Sequence, residues 1–163
     1  MKNKILTREI QALVSIAAKM IRSTVDDRLD AHNTGITALQ YGILRIIQHG
    51  PKTITEISKR QMLDPSTLVP AVDTLERNGY AKRTNDPKDR RRTPLEITEH
   101  GQDLLARVPM LDEEDALVKA LEQMSEDHQE QLLALMREMV GHLKSEAEVQ
   151  ALGATIQAEM RGE

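Results

Sequence analysis

The run Asn85-Asp86-Pro87-Lys88-Asp89-Arg90-Arg91-Arg92 constrains the fold more than any other segment of the chain. It separates two short runs of extended character, Tyr80 to Thr84 and Thr93 to Ile97. Asp-Pro marks a turn, because proline fixes φ and the aspartate side chain can hydrogen-bond the backbone beyond it. The segment is too long for a tight turn, so it reads as the basic tip of a β-hairpin. Before it, Leu75-Glu76-Arg77-Asn78-Gly79 closes a helix; after it, Thr98-Glu99-His100-Gly101 opens another. A helix, a basic hairpin and a second helix compose a winged helix, a device for holding DNA. The plain alternative for the charges alone is a solvated loop.

Helical periodicity organises the rest of the chain. Ile10, Leu13, Val14, Ala17, Met20 and Ile21 recur at helical spacing and predict a first helix from about Thr7 to Leu29. Ala31 to Gly35 reads as a loop. Thr37 with Gln40, and then Thr53 with Glu56, repeat the capping-box pattern and predict two helices separated by a stop at Gly50-Pro51. Asp64-Pro65 is an N-cap followed by proline at the first helical position, launching a helix through Val72 and Leu75 to Gly79. Two short helices close in sequence, the second followed by the hairpin, fit a helix-turn-helix with a wing. Thr98 then caps a helix expected to carry Leu104, Leu105, Val108 and Leu111, bent or broken at Pro109. A last helix begins at Ser125, with Leu132, Leu133, Leu135, Met136, Met139, Val140 and Leu143 on or near one face.

The fold class expected is therefore mainly α, a winged helix-turn-helix with a short hairpin wing and further helices at both ends. The apolar stripes of the two end helices lie outside the compact winged helix, which has no surface left to cover them. An identical partner covers them most simply, since two-fold symmetry is the commonest oligomeric arrangement; a self-contained monomeric bundle is the alternative. The expected organisation is an N-terminal dimerisation helix over 1–34, a DNA-binding domain over 35–108 and C-terminal dimerisation helices over 109–163.

Composition narrows the function. With two Tyr and no Phe or Trp, the core must be aliphatic, which suits helix-on-helix packing. No apolar run approaches the roughly 20 residues of a membrane span, so no membrane partner and a cytoplasmic location are expected. The absence of cysteine removes disulfides, thiolate metal sites and thiol chemistry together. The net charge of −4 hides an asymmetry: Arg77, Lys82, Arg83, Lys88, Arg90, Arg91 and Arg92 face only Asp86 and Asp89 between positions 77 and 92, while the chain beyond Asp112 is acidic. Such a patch can grip phosphate while the rest of the chain is repelled from it.

In that frame the helix opening at Asp64 enters the major groove N-terminus first, placing Ser66 and Thr67 at base edges. Either hydroxyl can instead satisfy first-turn backbone N–H groups. Arg77, near the helix end, is placed for a phosphate, which positions rather than specifies. At the wing, one of Arg90, Arg91 and Arg92 reaches a minor groove, while the others and Lys88 meet phosphate or pair with Asp86 and Asp89, which hold the tip in shape. Binding should weaken with salt at a log–log slope of roughly −0.9 per phosphate. Pro70 is the awkward residue: inside the helix it frees the Ser66 carbonyl and costs roughly 3 kcal/mol, so a kinked or late-starting recognition helix is expected.

Asp86-Pro87-Lys88-Asp89-Arg90-Arg91 followed by Leu95-Glu96-Ile97-Thr98-Glu99-His100-Gly101 resembles the wing signature of the MarR (multiple antibiotic resistance regulator) transcription factors, with Ile97 in a Leu position. Leu75 to Tyr80 is similar to that family's recognition-helix ending, and the order of helices matches over almost the whole chain. The resemblance implies a homodimer held by its terminal helices on a pseudo-palindromic operator of double-stranded DNA, usually as a repressor. It makes Arg91 the wing-tip arginine of the minor groove, Asp89 the carboxylate supporting it, and Thr67 the common recognition-helix Thr or Ser. Val69-Pro70 departs from the family pattern of a small polar residue followed by Arg. Many members release DNA when a small aromatic or phenolic effector binds between their dimerisation and DNA-binding parts. Here the scarcity of aromatics marks no pocket for a planar ligand.

Two other readings share the fold. A metal-responsive regulator would draw on His32, His49, His100, His128 and His142, but no two form an i, i+4 pair. A winged helix can also bind protein. No Gly-x-Ser-x-Gly, phosphate-binding glycine loop or His-Glu-x-x-His is present, so neither an enzyme nor a cofactor is expected.

Overall fold

The computed structural model describes residues 2–85 and 92–143. Their elements run α1 (Lys2–Ala31), α2 (Ala38–Ile47), α3 (Ile54–Gln61), α4 (Pro65–Arg77), β1 (Ala81–Arg83), β2 (Leu95–Ile97), α5 (Glu99–Arg107), α6 (Ala116–Glu122) and α7 (Glu126–Leu143). The wing tip, including Asp86, Lys88, Asp89, Arg90 and Arg91, lies outside the described residues, as does the chain beyond Leu143.

Local chemistry sets the helix starts. Thr37 accepts from the Gln40 amide while Gln40 Oε1 accepts from the Thr37 amide at 2.9 Å, and Thr53 and Glu56 repeat the exchange with the Thr53 amide at 2.7 Å from Glu56 Oε2. Each box satisfies two backbone donors that a helix start otherwise leaves open. Asp64 caps α4 through Ser66, and Thr98 caps α5 through the Gly101 amide at 3.1 Å. α3 ends at Met62 in the left-handed region (φ 52°), and the chain turns into α4 within Met62, Leu63 and Asp64.

Leu29, Ile43, Leu44, Ile47, Ile57, Leu68, Val72, Leu75, Leu95, Leu104 and Val108 are buried almost completely. They draw α2, α3, α4, the hairpin, α5 and the end of α1 around one aliphatic core. Burial of each such side chain stabilises by about 1.5–3 kcal/mol before entropy is counted. Both tyrosines tie elements together across this core. Tyr41 on α2 donates to the Val108 carbonyl at the end of α5 (3.0 Å), and Tyr80 donates to the Thr34 carbonyl between α1 and α2 (3.3 Å).

β1 and β2 pair antiparallel with Ala81 opposite Ile97, Lys82 opposite Glu96 and Arg83 opposite Leu95. Thr84 N–H to the Pro94 carbonyl at 2.8 Å continues the hairpin toward its tip. Lys52 adds a third, single-residue bridge to Leu95. That pairing anchors the hairpin to the segment before α3 and has no signature in the sequence, since one residue pair creates no alternation.

The structure corrects the start of α1 and the place of Leu111, and it excludes one of two alternatives at Pro109 and in α4. α1 begins well before Thr7, whose hydroxyl bonds the Asn3 carbonyl at 2.7 Å from inside the helix rather than capping it. α5 stops at Arg107 and Val108 leaves helical geometry, so Pro109 marks a break rather than a bend and Leu111 is exposed outside any helix. α4 does not start late: it begins at Pro65 and contains Pro70. The cost of that proline is lessened because the freed Ser66 carbonyl belongs to an exposed residue that water can reach.

Residues 3–23 of α1 are exposed throughout. Its stripe stands open to solvent, with Leu13 60% and Met20 55% exposed, and on α7 Leu135 is 63% exposed. Only the last turns of α1, at Val25, Arg28 and Leu29, settle against the core.

Candidate nucleic-acid interface

α4 is packed by α2, α3 and β1, against which it turns Leu68, Ala71, Val72 and Leu75. At 100° per residue, the opposite side carries Ser66, Pro70, Asp73 and Arg77 in one stripe, flanked by Val69 and Glu76 on one edge and Thr67 and Thr74 on the other. Ser66 and Arg77 therefore share a face, about 16 Å apart along the axis. This face is open, and the hairpin stands beside its C-terminal end.

The side chains expected at base edges divide in role. Ser66 Oγ donates to Asp64 Oδ1 at 2.6 Å, and its amide bonds the same oxygen at 2.8 Å. Ser66 thus completes the N-cap, and these bonds hold the Asp64 carboxyl below its ordinary range. Thr67 is exposed and its hydroxyl makes no hydrogen bond among the described residues. Arg77 is exposed at the end of α4 and forms no ion pair among the described residues.

Much of the positive charge counted along the hairpin is already compensated. Arg83 Nη2 meets Asp73 Oδ1 at 2.8 Å and its Nη1 meets Glu76, while its amide donates to Glu76 Oε1 at 2.8 Å. Lys82 faces Glu96 across the strands at 3.5 Å. Arg92, where the wing rejoins β2, bonds Glu56 Oε1 through Nη2 at 2.9 Å. Both side chains of that pair are nearly half exposed, a setting in which an ion pair is worth little and can exchange for phosphate.

Glu56 consequently has two tasks, capping α3 with one oxygen and holding the wing base with the other. The Thr53 amide is the largest cause of its lowered pKa, opposed by partial burial and aided by the Thr53 hydroxyl and by Arg92 and Lys52. The sequence reveals the capping role of Glu56 through its spacing from Thr53. Its pairing with Arg92, and the clamp of Arg83 on α4, join positions that only folding brings together.

No group of three or more His, Asp or Glu residues with metal-holding geometry occurs among the described residues. His100 stacks on Tyr80 with ring centroids 4.6 Å apart. A shallow depression of about 260 Å³ is lined by Arg45, Gln48, Gln102, Leu105 and Ala106. No aromatic ring lines it, and Arg45 directs its Nε to the Tyr41 hydroxyl (2.8 Å) and an Nη to the Val108 carbonyl (3.0 Å). No helix among the described residues is long and apolar enough to cross a membrane.

The MarR family model matches residues 36–93, from the end of the α1–α2 loop through the wing. Among curated proteins, the HTH-type transcriptional regulator SarZ of Staphylococcus epidermidis is 30% identical over 104 residues, spanning 63% of this chain and 69% of SarZ. Among solved structures, CouR from Rhodococcus jostii RHA1 bound to p-coumaroyl-CoA superposes with a TM-score of 0.64 at 26% identity, over 82% of this chain and 93% of CouR. A mutant MarR from E. coli complexed with operator DNA superposes with a TM-score of 0.72 over 84% of this chain and 96% of that one; at 21% identity it speaks for the fold.

Proposed function

The chain belongs to the MarR family of DNA-binding transcriptional regulators, and from that premise we propose that it acts as a repressor, a homodimer on a pseudo-palindromic operator in the cytoplasm. The observation that carries the reading is the open face of α4, capped at Asp64, ending in the exposed cation Arg77 and standing beside the hairpin. An N-terminus-first approach of such a helix suits the major groove. Thr67 and Arg77 then contact the duplex directly, Ser66 shapes the helix start, and Lys88, Arg90, Arg91 and Arg92 supply the wing contacts, with Asp86 and Asp89 supporting the tip.

The dimer part of the proposal assigns 1–34 and 109–163 to subunit contact and 35–108 to DNA. Support comes from the bare apolar stripes of α1 and α7, which no described part of the chain covers. Most of a helix's stability in a protein comes from packing of its apolar face, so a partner that covers these stripes also maintains the helices. Release by a small aromatic or phenolic effector completes the proposal, supported by the family resemblance and by the p-coumaroyl-CoA held by CouR. Both tyrosines of this chain are buried and committed to carbonyl groups, so such an effector would be held by aliphatic and polar side chains.

The test is binding of the purified protein to duplex from the region upstream of its own gene and to a random duplex pool, at two salt concentrations, with Arg91→Ala alongside. Tight binding that falls with salt and with the substitution is expected. Recovery of no duplex at low salt from either source would overturn the reading.

A further inference from the structure

On the open side of α4, Pro70 in the central stripe and Val69 at its edge are two side chains that can neither donate nor accept a hydrogen bond. Val69 is 38% exposed, and Pro70 beside it is exposed as well. The core does not require them, because Leu68, Ala71, Val72 and Leu75 already fill the inner side of the helix. Pro70 removes a helical hydrogen bond, so it weakens the element that carries it.

The polar groups around this pair are largely engaged within the protein. The Ser66 hydroxyl serves Asp64, the Thr74 hydroxyl donates to the Pro70 carbonyl at 3.0 Å, and the Asp73 and Glu76 carboxylates hold Arg83. What remains to meet a base edge along the first two turns is Thr67 and a small apolar patch. In the major groove, the apolar feature a base pair offers is the C5-methyl group of thymine.

We propose that Val69 and Pro70 are specificity-determining residues that pack against thymine methyl groups in each half-site. The operator is then read at those positions by methyl contact rather than by paired hydrogen bonds. The proposal rests on α4 being the element that enters the major groove, and the experiment separates failure of the two.

An operator is selected from random duplexes with the full chain, and its thymines are replaced singly by uracil. Uracil removes the methyl group and leaves the hydrogen-bonding edge unchanged. At one or two positions per half-site, affinity should fall about fourfold, the change expected for one buried methyl or methylene group. The double variant Val69→Ala with Pro70→Ala should bind the original site more weakly and no longer distinguish thymine from uracil there. It should stay folded, since Val69 is outside the core and alanine restores the missing N–H; circular dichroism checks this. Equal binding of thymine and uracil duplexes at every position, or unchanged discrimination by the folded variant, would overturn the proposal and leave DNA binding intact. Selection of no duplex at all would overturn both.

Discussion

Arg28 and Asp115, 87 positions apart in the chain, meet in a buried ion pair with Nη1 2.9 Å from Oδ2 and side chains only 6% and 9% exposed. The same Asp115 oxygen accepts from the Asp112 amide at 3.0 Å, so it also shapes the turn before α6. Arg28 Nε and Nη2 are buried without a hydrogen-bond partner among the described residues. The pair fastens the root of α1 to the start of α6, where the exposed arm leaves the core.

Removing one member leaves a buried charge with no compensation. Asp115→Ala should destabilise the fold by about 3–5 kcal/mol, while Arg28→Met combined with Asp115→Leu should recover most of that loss. Urea denaturation of the parent, Arg28→Met, Asp115→Leu and their double gives the coupling directly. A single variant as stable as the parent would contradict the burial.

Gly101 lies where the hairpin meets α5. A Cβ there would collide with the Tyr80 carbonyl oxygen and come within 2.7 Å of Ile97 Cγ1. Backbone cannot yield as a side-chain tip can, so Gly101→Ala should cost about 1–3 kcal/mol and displace the hairpin from α4. Thermal unfolding and duplex binding should both report the change.

Glu56 predicts a pH dependence. Its folded pKa is lowered from 4.5, first by the Thr53 amide, so its contribution to stability is present above the unfolded value and lost as pH falls through the lower folded one. Glu56→Gln should be less stable than the parent near neutrality. The gap should close below pH 4.5 as the parent carboxyl is protonated. Urea midpoints measured across that interval test the sign; a gap that widens in acid would refute it.

Two arginines on or beside α4 should behave differently. Arg77→Ala should reduce the salt dependence of duplex binding by about 0.9 in log–log slope for each phosphate that Arg77 neutralises. Arg83→Ala should weaken binding with little change in slope, because it uncovers the Asp73 and Glu76 carboxylates rather than surrendering a phosphate. Titrations at several salt concentrations separate the two.

The stripe on α1 gives a test of assembly. Ile10→Asp with Leu13→Asp puts charge into a face that is exposed in a single chain, so a monomer would tolerate it. For a dimer, sedimentation should show a shift to the monomer mass and circular dichroism a loss of helix, as an uncovered α1 frays.

Elements whose signals are local were legible in the residues alone. Thr37 with Gln40, Thr53 with Glu56, Asp64-Pro65 and Thr98 each set a helix start within a few residues, and the helices begin there because capping is a contact between near neighbours. The basic run between Tyr80 and Ile97 located the hairpin for the same reason, although its tip lies outside the described residues. Where the governing contact was remote, the residues alone could not supply it. The bridge from Lys52 to Leu95 and the bond from Tyr80 to the Thr34 carbonyl join positions that carry no local signal of each other.

Charge shows the same division most plainly. A count along positions 77 to 92 gives a basic patch, yet folding places Asp73 and Glu76 on Arg83, Glu96 on Lys82 and Glu56 on Arg92, leaving Arg77 to project from α4 without an ion pair among the described residues. The outward turn of Val69 and Pro70 was likewise decided by how α4 packs on α2, α3 and β1. Composition and spacing fix which residues a surface can present, whereas ion pairing and exposure depend on distances across the fold, and only tertiary structure sets those.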